Sequence, residues 1–191
     1  MCKIYIPDAG AISCLPEILK LMPAGEMMVI PMSLMEVAEL EAIMNPDVFK
    51  PFSQVCRKLL GAITESFDTT NGSDSTGGYL NGINIELVKM SQHEEELQLQ
   101  TPLGIKGQTE KGPELYARMC LFSTARKMAA TLGPTEGDEK TMKWQDYKSF
   151  RQIVIVTKSA KTALHALSQG FNIWLYNQTK FEDLEWNRHK G

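Results

Sequence analysis

No two of the four cysteines stand close together. Cys2, Cys14, Cys56 and Cys120 form no C-x-x-C pair, which removes the clustered soft ligands that a zinc site requires. Cys14 and Cys120 fall in apolar helical patterns and read as small core residues, and a reduced intracellular compartment is the setting such thiols imply. Neither G-x-x-x-x-G-K-[ST] nor G-x-G-x-x-G occurs, so a nucleotide-binding loop of those forms is excluded. No apolar run approaches the ~20 residues of a membrane span, and no charged n-region followed by an apolar core opens the chain. The expectation is a soluble, cytoplasmic protein with no membrane partner. There is no internal repeat.

What the chain does have is enough apolar material for an ordinary core. Its 191 residues are 43% hydrophobic and 23% charged, which predicts a single domain over 1–191 and excludes global disorder. The net charge of −3 conceals a gradient. Residues 1–68 carry 5 basic and 9 acidic side chains, 69–110 carry 2 and 6, and 111–191 carry 13 and 8. The basic C-terminal part can offer a face to a polyanion, or merely complement the acidic part as solvated surface.

Short apolar strands alternate with helices. Lys3–Pro7, Met27–Pro31, Gln152–Thr157 and Phe171–Tyr176 read as strands, the second apolar throughout as a strand covered on both faces would be. Ser13 is placed to cap a helix running to about Met22, with Pro16 in its first turn. Another helix starts at Ser33-Leu34-Met35-Glu36 and is stopped by Asn45-Pro46, and a third runs from about Asp47 to Phe67. Residues 69–82, TTNGSDSTGGYLNG, read as linker. A short strand follows over Ile83–Met90, then an acidic excursion from His93 to Gly112, so that 69–112 is expected to be largely a flexible insertion. Pro113 at a first helical position opens the clearest helix, and Gly133-Pro134 ends it. Ala160–Ser168 is the last helix, with Gly170 as its stop. This alternation predicts a three-layer α/β/α sandwich around a mostly parallel sheet.

In such sheets chemistry gathers where strands release the chain at their carboxyl ends. Asp8 leaves the first strand, and Lys158-Ser159 leaves the strand at 152–157. Three stretches around these exits resemble the motifs of PIN-domain nucleases, most nearly the variety found beside phosphate-starvation-type ATPase domains. IYIPDAGAI looks like the first motif, VIPMSLMEVAEL is similar to the second, and IVIVTKSAKTALHALSQGFNIW resembles the last. The likeness covers about residues 3–44 and 110–176.

The resemblance implies an acidic pocket in which carboxylates hold Mg²⁺ or Mn²⁺ and RNA phosphodiesters are hydrolysed. Hard divalent cations take carboxylate oxygens, and a bound metal activates water while neutralising phosphate charge. Carried onto this sequence, Asp8 is the first acid, Glu36 or Glu39 the second, and Glu114, or else Glu110, the third. Ala9 and Gly10 stand where the family has Thr and Asn, and Ser159 stands where it has its fourth acid. Lys158 or Ser159 would contact the phosphate. The implied function is a weak or degenerate metal-dependent ribonuclease. The alternative is a non-catalytic module that binds RNA or a protein on the same fold.

Each of these residues also has a plain structural reading. Asp8 can cap the turn after its strand. Ser33-x-x-Glu36 is a capping box, Glu39 a solvated helical acid, and Glu114 an acid favoured by the helix dipole. Ser159 is a good N-cap. His165 lies in the following helix on a different face from Ser159 and is no obvious base for it. The segment Lys143-Trp144-Tyr147-Lys148-Arg151 mixes basic and aromatic groups as single-strand binders do, or packs as an amphipathic lead-in. The methionines Met27, Met28, Met32 and Met35 form either a homodimer face or a buried strand–helix pair.

Overall fold

The computed structural model describes residues 2–65, 75–80, 82–88, 112–133, 152–177 and 180–184. The chain begins with β1 (Ile4–Pro7), two short helices α1 (Ala9–Ile12) and α2 (Leu15–Leu21), and β2 (Met27–Pro31). Two longer helices, α3 (Met32–Met44) and α4 (Pro46–Glu65), lead to the hairpin strands β3 (Ser75–Leu80) and β4 (Ile83–Val88). Helix α5 (Gly112–Leu132) precedes β5 (Ile153–Thr157), α6 (Ala160–Ser168), β6 (Asn172–Asn177) and β7 (Lys180–Leu184).

The strands form one sheet in the order β3-β4-β2-β1-β5-β6-β7. The five central strands run parallel, and antiparallel β3 and β7 close its two edges. Every residue of β1 and β5 is buried. Successive side chains of a strand point to opposite faces, so the centre of the sheet is covered on both sides. The expected mixed α/β fold with a mostly parallel sheet is therefore present. Counted along the chain, the five parallel strands lie in the order 3-2-1-4-5, and the direction of winding reverses between β1 and β5. Ligands of open α/β sheets settle at that reversal.

Several local expectations change. The helix expected from Ser13 to Met22 is two helices. Asp8 captures the Ala11 amide and starts α1 early, so Ser13 becomes its C-terminal cap and α2 begins anew with Pro16 in its first turn. The capping box at Ser33 and Glu36 does not form as read. β2 passes directly into α3 through extended Pro31, and Ser33 is buried inside the first turn. Residues 75–80, read as linker, are an edge strand of the sheet. A side chain at Gly77 would meet the Ile85 carbonyl oxygen at 3.1 Å, so glycine there permits the close pairing. Gly82, at φ +77°, turns the chain into β4. β7 has no counterpart in the sequence reading. The Met-rich stretch belongs to the interior: Met28 is fully buried, and Met27 and Met35 pack against the core. His93, Glu110 and the segment 143–151 lie outside the described residues.

Candidate site at the ends of β1 and β5

Asp8 follows β1 at the reversal point. Its own amide donates to the Val156 carbonyl at 2.9 Å, which continues the β1–β5 ladder one step past the strand. That bond fixes the backbone from which the carboxylate projects. One oxygen, Oδ1, accepts from the Ala11 amide at 2.7 Å. The other, Oδ2, accepts from the Thr157 hydroxyl. Thr157 Oγ1 in turn accepts from the Ser159 amide at 2.9 Å. The two strand exits singled out in the sequence are thus joined through a single buried hydroxyl.

Burial pushes the Asp8 carboxyl from 3.8 up to about 6. Bonds from Thr157 and Ala11 and the charge of Lys158 oppose that rise, while the charge of Glu41 adds to it. A carboxyl raised into this range exchanges its proton near neutral pH, and as a carboxylate it is a hard oxygen donor. Each of its oxygens accepts one bond here and keeps a lone pair.

Lys158 is exposed, and its Nζ lies 5.8 Å from the centre of the Tyr176 ring. Its charge still reaches Asp8. Ser159 caps α6, with Oγ accepting from the Thr162 amide at 3.3 Å. Its backbone therefore belongs to the site, while its hydroxyl serves the helix.

The acids expected to converge are placed differently. Glu36 and Glu39 are exposed on α3, and the charge of Glu39 acts on Cys56 of α4. The α3 acid that acts on Asp8 is Glu41. Glu114 lies in the first turn of α5, its side chain outside what is described. Among the described residues no three His, Cys, Asp or Glu side chains come together as a metal would require. They supply one seated carboxylate, which does not amount to a hard-cation shell.

Sequence reasoning missed Thr157 and Glu41. Thr157 is the polar residue that ends an otherwise aliphatic strand, directly before the noted exit. Glu41 flanks the buried stripe Leu34–Ala38–Ala42, which marks the side of α3 that faces the core.

Comparison with known protein families, with curated proteins and with solved structures finds no significant match. No described helix is long and apolar enough to cross a membrane.

Proposed function

We propose that this chain is a divergent PIN-like domain that engages RNA at the ends of β1 and β5, with Asp8 as the remaining seat of a Mg²⁺- or Mn²⁺-dependent nuclease site. The observation that carries the reading is the position of Asp8: a carboxyl held at the winding reversal, on the backbone ladder, with its proton affinity raised. A bound divalent cation would supply an activated water and a counter-charge to phosphate. Asp8 would be one of its ligands, and the exposed Lys158, whose charge reaches Asp8, would meet a phosphate oxygen. Efficient hydrolysis needs further carboxylates. Glu36, Glu39 and Glu114 remain the proposed additions, with Glu41 joining them on electrostatic grounds.

That no three metal-ligating side chains gather among the described residues favours a second reading, a non-catalytic module that binds RNA or a protein partner on the same surface.

Calorimetric titration of Mn²⁺ into the wild type, Asp8→Asn and Ser159→Asp decides between them. The nuclease reading expects binding that vanishes in Asp8→Asn and tightens about tenfold in Ser159→Asp, with RNA cleavage following the same order. RNA binding that persists in EDTA without turnover supports the module. Cleavage unchanged in Asp8→Asn ends the first reading.

A further inference from the structure

The outer side of α3 is apolar where a surface helix is ordinarily polar. At about 100° per residue, Leu34, Ala38 and Ala42 share one side of the helix, and all three are buried. Leu40, Ile43 and Met44 share the opposite side, and they are 62%, 63% and 85% exposed. Three large aliphatic side chains at i, i+3 and i+4 make one continuous strip. α3 already packs on α1, α4, α5 and β2, so this strip is not the side that holds the helix to the sheet. A single exposed leucine needs no explanation, whereas a contiguous group marks a surface for a partner.

The strip sits at a fixed corner, where α3 gives way to α4 at Asn45-Pro46. The Asn45 amide donates to the Glu41 carbonyl at 3.0 Å, and Asn45 Oδ1 accepts from the Asp47 amide at 3.1 Å. The surroundings are acidic. Between Met32 and Asp47 stand Glu36, Glu39, Glu41 and Asp47, all exposed, and no lysine or arginine. Glu36 precedes Leu40 by one turn on the same side. Glu39 and Glu41 bracket the strip: the charge of Glu39 acts on Cys56 of α4, and that of Glu41 acts on Asp8. The first basic side chain after this run is the exposed Lys50.

We propose that this side of α3 receives a short basic amphipathic helix of another protein. The partner's apolar side chains cover Leu40, Ile43 and Met44, and its lysines or arginines meet the acids that frame them. Three considerations select this occupant. A second copy docked through the same side would set like charges against like across a two-fold axis. A helix that lies on an anionic membrane carries Lys or Arg beside its apolar face, and this one carries acids. Three side chains also fall short of the ~800 Å² that each partner of a standard interface buries, which suits one helix rather than a folded domain. Met44, unbranched and the most exposed of the three, adapts its shape to the apolar residue it meets. This surface goes beyond the nuclease reading and uses none of the chemistry of Asp8.

The test selects peptides of about 15 residues, roughly four helical turns, from a random phage-displayed library on the immobilised full chain. The enriched peptides are then titrated by fluorescence anisotropy. Glu36, Glu39 and Glu41 also belong to the proposed metal set, so the variants spare them. Leu40→Ser with Ile43→Ser removes the strip, and Leu40→Met with Ile43→Leu keeps it; both positions are exposed, so the fold is retained. Enriched peptides are expected to carry several Lys or Arg and apolar residues at i, i+3 or i+4, and i+7. Their binding should weaken at least about tenfold in the serine pair and with added salt, and persist in the conservative pair and in Asp8→Asn. No enrichment, enrichment of peptides without basic residues, or binding indifferent to the serine pair overturns the proposal. Self-association in sedimentation that the serine pair abolishes assigns the strip to a second copy and overturns it as well. So does attachment to phosphatidylcholine vesicles that the serine pair abolishes. The serine pair should take up Mn²⁺ as the wild type does, so failure here is distinct from failure of the nuclease reading.

Discussion

Asp8 and His165 are both ionisable groups taken partly out of water, and their surroundings treat them in opposite ways. Around Asp8, a hydroxyl, an amide and a lysine charge favour the ionised form, and burial outweighs them. Around His165, burial and two guanidinium charges act together against ionisation. The first is a charge kept available at a topological reversal. The second is a ring kept neutral chiefly by burial, with two guanidinium charges acting the same way. Burial alone does not define a site; the sign of the neighbours decides what kind of partner each group can receive.

Removing the support beneath the imidazole should have the largest effect. Phe122 is 2% exposed and touches both His165 and Phe171, so Phe122→Ala is expected to lower stability by about 3–4 kcal/mol. Water entering the cavity should also bring the His165 titration back towards its ordinary range. Urea denaturation and an NMR titration read the two effects. A stable variant with an unmoved His165 would mean that the ring is not held by this contact.

Thr157→Val keeps the branched shape but strips the hydroxyl that joins the strand exits. The Asp8 Oδ2 oxygen and the Ser159 amide both lose their partner, so a loss of about 2 kcal/mol is expected. It should be larger at neutral pH, where Asp8 is ionised, than at pH 4.5. An equal loss at both values would show that the bond does not discriminate between protonation states.

Asp8→Asn should act more gently and in the opposite direction. The carboxyl rises from 3.8 to about 6 on folding, so the folded chain binds that proton more tightly than the unfolded chain. Stability from this group is complete below about pH 4, declines as pH rises towards 6, and is flat above. Asparagine retains an oxygen for the Ala11 amide and can donate to Thr157 Oγ1 without a charge. Stability at pH 7 should therefore rise by about 1–2 kcal/mol, and the slope between pH 4 and 6 should flatten. A variant less stable than wild type at pH 7 would show that the charge is better accommodated than its burial implies.

The sheet's central strands were readable because they are short, β-branched and continuously apolar, and both of their faces are buried. The helix α6 was readable to the residue because Ser159 and Gly170 punctuate it on both sides. The hairpin edge was misread because its glycines look like linker in one dimension. In the sheet, Gly77 is what lets the neighbouring backbone come close. Asn81-Gly82 between Leu80 and Ile83 carried the corrective signal, since that dipeptide marks two-residue hairpins. Asp8 was legible as a strand exit and as a cap, and it is both. Its partners were not. Thr157 is 149 residues away, and helical periodicity alone did not indicate which α3 acid acts on Asp8.

That separation of 149 residues also sets a timetable. β1 can pair with β2 soon after both leave the ribosome, but its other edge waits for β5, most of the chain later. At a synthesis rate of 5–20 residues per second the wait is roughly ten seconds. Throughout it one edge of β1 is bare, and Asp8 is an ordinary hydrated carboxylate with an ordinary acidity. The raised proton affinity appears only when the last fifth of the polypeptide docks, so a ribosome-bound fragment ending before Thr157 carries the residue but not its chemistry.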